Sequence, residues 1–322
     1  MIRTSVGILR GGTSSEYPLS LKTGAAMMDA LPDDTYDARD ILIDKTGTWH
    51  LHGKPVDATR ALAQIDVVLN ALHGGVGEDG TVQRILDRAG VPYAGSRALA
   101  SGLSLNKIRA REVFQKAGLR MPRGMSFNLD NELDTREMAE AIFDTFGPPY
   151  MVKPPMEGSA FGIRYIATII ELQGALAEML DAYGAALVEE YLHGAHATVG
   201  VIEHYRGEDV YALPAAHIRI PKGERHVQYS IHERGAAEHQ VPSNFTHEEK
   251  QMLGDIARAA HRALGLAHYS DADFVLTRRG PYLLEVNSTP HLYPSSAFPK
   301  MLESVGSSTR EFLEHAIALA RQ

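Results

Sequence analysis

Three oxygen-bearing side chains stand in two neighbouring β-prone segments in the last quarter of the chain. Asp273 lies in the first segment, residues 271–276, and Glu285 and Asn287 lie in the second, residues 282–287. A short turn between the segments predicts a β-hairpin. Glu285 and Asn287 are two residues apart and therefore face the same side of a strand. Two carboxylates and an amide oxygen form a hard donor set that suits Mg²⁺ bridging to phosphate oxygens.

The alternative interpretation is a solvated hairpin at the edge of a sheet, which would be the better explanation of two isolated carboxylates. The residues around Glu285 and Asn287 argue against it, because Tyr282, Leu283 and Leu284 indicate a buried strand. Burying a polar side chain without a partner costs free energy. The pattern therefore favours a ligand site.

Two glycine-bearing loops and two lysines supply candidate contacts for phosphate. Residues 10–16 follow a predicted strand and precede a predicted helix, which is typical of the start of a doubly wound α/β domain. Their amides could hold an anion at the helix N-terminus, although a simple tight turn is the alternative. Lys107 lies on a predicted helix, and Lys153 ends a predicted strand just before the small-residue loop 156–162. Such loops fold over phosphates, so we expect a nucleotide site between domains.

Composition and charge exclude several classes of function. The chain has 322 residues and a net charge of −8, which argues against nucleic acid as a partner. It has no cysteine, which excludes disulfides, thiolate metal sites and a cysteine nucleophile, and fits a reducing compartment. The first residues do not form a signal peptide, and no apolar run reaches membrane-spanning length. We therefore expect a cytoplasmic protein that acts on small molecules, without a membrane or nucleic-acid partner.

The predicted elements divide the chain into three units. Residues 1–97 alternate strands with helices, and residues 98–189 and 190–322 mix both types, the last unit around a mostly antiparallel sheet. Residues 219–243 are polar and without periodicity, which predicts a long loop that acts as a lid.

Some finer expectations concern single elements. We predict a strand at residues 91–96, one helix over residues 98–116, a Pro/Ser-rich loop over residues 288–300, and a last helix capped by Ser308.

Several motifs, in order and correctly spaced, resemble the D-alanine–D-alanine ligases over essentially the whole chain. The motifs are Gly-Gly-Thr-Ser-Ser-Glu at 11–16, His-Gly-Gly-Val-Gly-Glu-Asp-Gly at 73–80, Val-Lys-Pro at 152–154, Glu-Gly-Ser at 157–159 and Leu-Glu-Val-Asn at 284–287. The resemblance implies a three-domain α/β ATP-grasp fold. Its N-terminal domain would be a doubly wound parallel sheet with residues of the substrate site, and its two α+β domains would clasp ATP.

The resemblance also implies a reaction. ATP would phosphorylate the carboxylate of a first D-alanine, and the amine of a second would attack the acyl phosphate and expel phosphate. The product would serve peptidoglycan synthesis, and the enzyme would be a homodimer that uses ATP and two Mg²⁺ ions, with Mn²⁺ as a possible replacement. Two alternatives stay open: a related ligase with another acceptor, such as D-lactate or another amino acid, and a catalytically silent ATP-binding homologue.

For the nucleotide, the family's roles carry over to matching positions of this sequence. Lys107 and Lys153 would hold the ATP phosphates, and Glu189 and Leu192 would meet adenine. His196 occupies the position of the glutamate that holds the ribose in the family. The metal ligands would be Asp273, Glu285 and Asn287.

For the two amino acids, the resemblance implies a second set of residues. Glu16 would receive the ammonium group of the first substrate, with Ser159 hydrogen-bonded beside it and His73 lining the same site. Ser296 and the amide of Ala297 would take the carboxylate of the second substrate.

Two departures from the family pattern fall where the tetrahedral intermediate would form. Asp271 stands in place of an arginine, and His291 stands in place of a glycine whose amide supports the same oxyanion. We expect both to be catalytic, with Asp271 holding a cationic His291 that replaces the arginine. The competing interpretation is that both residues record a lost or changed activity.

A third departure lies in the lid, where the family usually has Lys-Tyr. Here Ile231-His232 resembles the lid of the vancomycin-resistance D-alanine–D-lactate ligases, in which a histidine sets the preference for a hydroxy acid. A role for His232 in substrate choice is one interpretation, and a surface histidine is the other.

Overall fold

The N-terminal sheet holds the parallel strands. The computed structural model describes residues 3–221, 223–224, 229 and 237–322. The strands of this sheet are β1 (Thr4–Gly11), β2 (Tyr36–Ile43), β3 (Trp49–Leu51), β4 (Lys54–Val56) and β5 (Val67–Asn70). Their order is β4-β3-β2-β1-β5, and β1 pairs in parallel with both β2 and β5. The predicted parallel sheet is confirmed for these three strands. The antiparallel strands β3 and β4 extend it, and they are too short to leave a clear alternation in the sequence.

Helices connect and follow the strands of this sheet. They are α1 (Tyr17–Ala30), α2 (Ala58–Leu62), α3 (Gly75–Glu78) and α4 (Thr81–Ala89). The strand predicted at residues 91–96 is reduced to a single parallel bridge between Val68 and Tyr93. The chain leaves the sheet there because the next amide, that of Gly95, bonds to the ring of His268 instead.

The central segment forms a four-stranded antiparallel sheet with helices. Its elements are α5 (Ala98–Leu105), α6 (Lys107–Lys116), β6 (Gly124–Asn128), α7 (Thr135–Thr145), β7 (Tyr150–Lys153), β8 (Arg164–Ile166), α8 (Ile169–Tyr183) and β9 (Ala185–Glu190). The strand order is β6-β9-β7-β8. The single helix predicted over residues 98–116 is wrong, because Asn106 leaves helical geometry and its side chain caps α6 by accepting the Arg109 amide at 3.0 Å. This break makes Lys107 the first residue of α6.

The C-terminal sheet is antiparallel in every pairing among the described residues. Its strands are β10 (Ala195–Tyr205), β11 (Glu208–Ala212), β12 (Ala216–Arg219), β13 (Glu238–Gln240), β14 (Tyr269–Thr277) and β15 (Gly280–Asn287). The order is β13-β12-β10-β14-β15, with β11 also on β10. The prediction of a mostly antiparallel sheet is confirmed.

Three further helices complete this segment: α9 (His247–Leu264), α10 (Ala297–Ser304) and α11 (Thr309–Ala320). The predicted loop over residues 288–300 ends earlier than expected, because Ser296 is the N-cap of α10. The last helix starts as predicted, with the hydroxyl of Ser308 accepting the Glu311 amide at 3.2 Å. About half of the predicted lid, His232 included, lies outside the described residues, whereas Arg219 is the last residue of β12 and Glu238–Gln240 form β13.

The end of the chain packs against the first sheet. Phe312 and Leu313 of α11 share one buried apolar cluster with Val6 and Ile8 of β1. The N-terminal and C-terminal sheets each fall in one predicted unit, whereas β9 of the central sheet ends at Glu190, one residue past the predicted unit. The boundaries at residues 97 and 189 stay a prediction. Within the part of the chain that is described, no helix combines the length and the apolar character needed to cross a membrane.

Candidate active site

The predicted hairpin is confirmed by β14 and β15. Their register places Asp273 opposite Glu285 and Asp271 opposite Asn287, and the register shifts between Asp273 and Phe274. The Asn287 amide nitrogen donates to Asp271 Oδ1 at 2.9 Å and to Asp273 Oδ2 at 3.3 Å. The hairpin therefore gathers three carboxylates and one amide on a few residues of two adjacent strands.

One cavity is lined by every sequence-predicted site residue that the structure describes. His232 is the one candidate outside the described residues. The fifteen others come from all three sheets and their loops: Glu16, His73, Lys107, Lys153, Ser159, Glu189, Leu192, His196, Asp271, Asp273, Glu285, Asn287, His291, Ser296 and Ala297. The tertiary structure thus turns five separated sequence motifs into one site.

The cavity has an excess of buried acids around the hairpin. Burial raises the pKa of Asp271 to about 7, and it raises the pKa of Asp273 well above the ordinary value, with the charges of Asp271 and Glu285 adding to the effect. A threonine missed by the sequence analysis, Thr198 of β10, donates its hydroxyl to Asp273. The raised pKa values mean that too little positive charge lies near these buried carboxylates. A divalent cation would supply it, so the donor set fits such an ion.

The residues fit a cation by the type of their ligand atoms, and not because they are already arranged around an ion. Among the residues described, no group of three or more His, Asp or Glu side chains is placed to hold a metal ion. Mg²⁺ does not need such a cage, because it is usually held by one or two carboxylates together with phosphates and water. Asp273, Glu285 and Asn287 are sufficient for that role.

The two predicted phosphate-binding lysines are buried and paired with acids. Lys107 Nζ lies 2.6 Å from Glu285 Oε2 and donates to the backbone oxygen of Glu157 at 2.8 Å. Lys153 Nζ lies 2.5 Å from Glu189 Oε2. Neighbouring carboxylates raise the pKa of Lys107 despite its burial, so it stays cationic.

An arginine that the sequence analysis missed completes the second pair. Arg111 Nη1 lies 2.8 Å from Glu189 Oε1, so Glu189 is held between two cations. Arg111 is four residues after Lys107 on α6, and this i, i+4 spacing puts both on one helix face. The i, i+4 spacing is therefore the feature of the sequence from which Arg111 could have been predicted as a residue near Lys107. The Glu189 carboxylate is engaged in these pairs, and its contact with adenine stays a prediction.

The remaining nucleotide candidates, Leu192 and His196, also line the cavity. Leu192 packs in a small apolar cluster with Val275 and Tyr282, which suits the face of a base. His196 lies on β10, with Ile218 and Val275 as its neighbours on the adjacent strands. Contacts of Leu192 with adenine and of His196 with ribose stay predictions.

Glu16 is the buried acid at the opposite side of the cavity. The Ser159 hydroxyl donates to its Oε1, whereas its Oε2 has no hydrogen-bond partner among the described residues. Gly74 and Gly158 allow this approach, since a Cβ on either would lie 2.4 Å from Oε2. Burial raises the pKa of Glu16 to about 8, and the charge of Glu78 adds to the shift. A buried acceptor without a donor is a place for an ammonium group.

His73 and His291 stand together beside Glu16. Their rings meet edge to face with centroids 4.3 Å apart, and His73 Nε2 lies 2.8 Å from the Thr23 hydroxyl. Burial lowers the pKa of His73 to about 3, so this ring is neutral. His291 Nε2 lies 3.3 Å from the Ser159 hydroxyl and 3.9 Å from Glu16 Oε1.

These contacts correct the expected pairing of Asp271 with His291. Among the described residues, the acid within ion-pair distance of His291 is Glu16, whereas Asp271 accepts a hydrogen bond from Asn287. The reason is strand register, because Asn287 lies directly opposite Asp271. His291 lies four residues beyond Asn287, in a loop that carries it toward Glu16.

Ser296 and Ala297 lie where α10 begins. The Ser296 hydroxyl lies 2.7 Å from the backbone oxygen of His291 and 2.6 Å from that of Tyr293, so its proton is committed to this turn. Ala297 is the first residue of α10, and free amides at a helix N-terminus attract anions. Carboxylate binding by this pair stays a prediction, and the amide is its better-placed part.

Glu78, which lines the cavity, and Tyr229, which contacts the first glycine-bearing loop, are two further residues that the sequence analysis missed. Glu78, within the 73–80 motif, accepts hydrogen bonds from the Gly74 amide, the Ser288 hydroxyl and the Thr289 amide, and so ties the N-terminal loop to the segment after β15. Tyr229, in the lid sequence, donates its hydroxyl to the backbone oxygen of Ser15 at 2.9 Å. Both lay in segments already singled out, and their partners lie far away in sequence.

The comparisons with known proteins agree with this geometry. Residues 113–318 match the family model "D-ala D-ala ligase C-terminus", and residues 50–96 match "D-ala D-ala ligase N-terminus". A D-alanine–D-alanine ligase of Geotalea uraniireducens is 34% identical over 98% of this chain and 95% of its own length. The chain belongs to the D-alanine–D-alanine ligase family.

Solved structures show the same fold in the D-alanine–D-alanine ligase family. The VanG D-Ala:D-Ser ligase of Enterococcus faecalis superposes with a TM-score of 0.85 at 25% identity, covering 99% of this chain and 100% of that one. A D-alanine–D-alanine ligase of Bacillus anthracis, solved in complex with ATP, gives a TM-score of 0.80 at 25% identity over 98% of this chain and 97% of that one. The expected ATP-grasp fold is confirmed.

Proposed function

We propose that this member of the D-alanine–D-alanine ligase family joins two D-alanines in the cytoplasm at the expense of ATP, through an acyl phosphate. The observation that carries the proposal is the single cavity in which the acid hairpin, the two lysines and the unpaired oxygen of Glu16 meet. These are the groups needed to hold a triphosphate, a metal ion and an amino acid in one place. A homodimer is part of the proposal and rests on the family alone.

The nucleotide half of the reaction follows from the charges. ATP phosphates would take Lys107 and Lys153 from their present acid partners, Glu285 and Glu189. Mg²⁺ bound by Asp273, Glu285 and Asn287 would supply the charge that lets the γ-phosphate approach the substrate carboxylate. Arg111 would keep Glu189 paired after Lys153 turns to phosphate.

The amino-acid half uses the other side of the cavity. Glu16 Oε2 would accept the ammonium group of the first D-alanine, and the amide of Ala297 would bind the carboxylate of the second. Asp271 places a carboxyl group where the family uses arginine. Burial raises the pKa of this group in the ligand-free protein, which favours its uncharged form and lessens its opposition to an oxyanion.

A second candidate is a ligase with another acceptor. The imidazole of His291 occupies the acceptor side, where the family has no side chain, and one structural neighbour is named for D-serine as its second substrate. The curated relatives, including that of Halalkalibacterium halodurans at 34% identity over 98% of both chains, are named for D-alanine.

The test of function is phosphate release from Mg·ATP with D-alanine alone, and with D-alanine plus each member of a panel of D- and L-amino acids and hydroxy acids. We expect turnover with D-alanine alone and D-alanyl-D-alanine as the product. A strictly higher rate with one added acceptor, together with the mixed product, would select the second candidate. No phosphate release under any condition would contradict both and leave a silent homologue.

The pH dependence of first-substrate binding tests Glu16. An ammonium group pairs with the ionised carboxylate, but Glu16 in the ligand-free protein is protonated below its pKa of about 8. Binding therefore releases a proton, and D-alanine affinity should rise with pH up to about 8, by at most about tenfold per pH unit. Isothermal calorimetry in two buffers of different ionisation enthalpy would measure both the affinity and the proton release. Glu16→Gln should bind weakly and without this pH dependence, whereas equal proton release by Glu16→Gln would contradict the assignment.

A further inference from the structure

Three polar residues form one row across the C-terminal sheet where it borders the cavity. The register places Thr198 of β10 directly opposite Asp273 of β14, and Asp273 lies opposite Glu285 of β15. All three residues line the cavity, although Thr198 is only 3% exposed. Residues directly opposite each other on neighbouring strands have adjacent side chains. The row therefore joins a buried hydroxyl to the two acids that are proposed to bind Mg²⁺.

The Thr198 hydroxyl and the Asn287 amide contact different oxygens of the Asp273 carboxyl group. The hydroxyl bonds to Oδ1, and the Asn287 nitrogen lies 3.3 Å from Oδ2. One contact comes from β10 and the other from β15, which are the two neighbours of β14 in the sheet. Together they hold the carboxyl group across the strands, with Oδ2 on the side of the hairpin partner β15.

The contact from β10 is the stiffer of the two. A threonine side chain is branched at Cβ, which restricts its rotation. β10 and β14 pair without a register shift over residues 195–202, whereas the pairing of β14 with β15 shifts between Asp273 and Phe274. Such irregularities occur next to active sites and redirect side chains. The regular pairing with β10 therefore gives Asp273 its fixed support.

The neighbouring row of the sheet has no equivalent hydroxyl. Gly200 of β10 lies opposite Asp271, and a Cβ at Gly200 would lie 2.8 Å from side-chain atoms of both Leu213 and Phe298, which leaves little room for a side chain. Asp271 is held by the Asn287 amide from β15. Of the two aspartates, Asp273 is the one whose side-chain hydrogen bonds, among the described residues, come from both neighbouring strands.

We propose that Thr198 is a positioning residue of the metal site and orients the Asp273 carboxylate for Mg²⁺. This inference rests on the proposed function and adds a residue behind the metal ligands. A carboxylate that binds a cation has lost its proton, so both of its oxygens only accept hydrogen bonds. Thr198 is then the donor at Oδ1 and keeps Oδ2 turned toward β15. Partners of this kind fix the orientation of a ligand and strengthen metal binding.

Mn²⁺ binding, measured by electron paramagnetic resonance, tests this role without turnover. The full-length protein is mixed with adenylyl imidodiphosphate, a non-hydrolysable ATP analogue, and Mn²⁺ is titrated while its free concentration is read from the spectrum. Thr198→Val keeps the shape of the side chain and removes the hydroxyl. We expect it to weaken Mn²⁺ binding about 10- to 100-fold, the usual cost of losing a partner of a metal ligand.

Two further variants separate positioning from a general effect on the fold. Thr198→Ser keeps the donor and should bind Mn²⁺ much more tightly than Thr198→Val. Thr4→Val makes the same change on β1 of the N-terminal sheet, outside the cavity, and should leave Mn²⁺ binding unchanged. Valine is favoured in strands, so both valine variants should fold.

The ligase assay adds a kinetic readout. Thr198→Val should need about 10- to 100-fold more Mg²⁺ than the wild-type protein to reach its half-maximal rate, in line with the loss of Mn²⁺ affinity. Thr198→Ser and Thr4→Val should keep a Mg²⁺ dependence close to that of the wild-type protein.

Two results would overturn the proposal: Mn²⁺ affinity of Thr198→Val equal to that of the wild-type protein, or an equal loss of affinity in Thr198→Val and Thr198→Ser. In the second case the hydroxyl would not be the group that matters. Failure of the wild-type protein to bind Mn²⁺ together with the analogue would instead contradict the nucleotide half of the proposed function.

Discussion

Glu285→Gln is expected to reduce phosphate release at least about a hundredfold while leaving the fold intact. The substitution keeps the size of the side chain but removes one of the two carboxylates proposed for Mg²⁺. Removing one preorganised electrostatic contact, such as a donor of an oxyanion hole, typically costs about 10²- to 10³-fold, and we expect a loss of similar size here. The change relieves the repulsion by which Glu285 raises the pKa of Asp273, but it also removes the carboxylate that pairs with the buried Lys107 at 2.6 Å. We therefore expect a folded protein with a lower thermal midpoint in the absence of ligand. The measurements are phosphate release and the thermal midpoint with and without Mg·ATP.

The matched control for this prediction is Glu208→Gln. Glu208 belongs to the same sheet but is exposed on β11, so the same change of charge is made away from the cavity. It should keep both the turnover and the stabilisation by Mg·ATP that Glu285→Gln loses. Turnover of Glu285→Gln at the level of this control would remove the hairpin from the metal site.

Lys153→Met is expected to weaken ATP binding by about 10- to 100-fold. A hydrogen bond to a charged group is worth about 1.5–3 kcal/mol, and the ammonium is proposed to move from Glu189 to a phosphate. The variant should still fold, because Arg111 continues to pair with Glu189 at 2.8 Å and methionine fills the buried space of the lysine stem. Calorimetric titration with a non-hydrolysable ATP analogue and Mg²⁺ measures the effect.

Lys54→Met provides the comparison, since Lys54 is exposed on β4 of the N-terminal sheet and changes the net charge by the same amount. If both variants bound the analogue equally well, Lys153 would have no direct contact with phosphate. The double substitution Lys153→Met with Arg111→Met adds a further check. It should lose stability far beyond the sum of the single changes, because it leaves Glu189 buried without either of its two cations.

The prediction from sequence was most accurate where one residue type is needed for a local physical reason. The hairpin of β14 and β15 and the cap at Ser308 follow from alternation and capping, both of which act within a few residues. It failed where an N-cap residue interrupts a longer pattern. Asn106 divides the helix predicted over residues 98–116, and Ser296 starts α10 inside the predicted loop.

For the site, the sequence by itself determined which chemical groups are present. Two lysines, two carboxylates and an asparagine were enough to predict a nucleotide site, because phosphate and Mg²⁺ tolerate few ligand types. The five ordered motifs added the resemblance to a family. Fifteen candidate residues do line one cavity, which the motif order alone anticipated.

Only the tertiary structure decided most of the pairings among these groups. The hydrogen bond between Ser159 and Glu16 was implied by the family resemblance and is confirmed. Sequence distance gave no means to pair either residue with His291, or Glu189 with Arg111, because each pair joins residues from different sheets or loops. Strand register places Asn287 opposite Asp271, although the expected position of the oxyanion had suggested His291 as the partner of Asp271. Burial, which exists only after folding, raises the pKa of Glu16 to about 8 and lowers that of His73 to about 3, and it leaves His291 as the accessible imidazole of the pair.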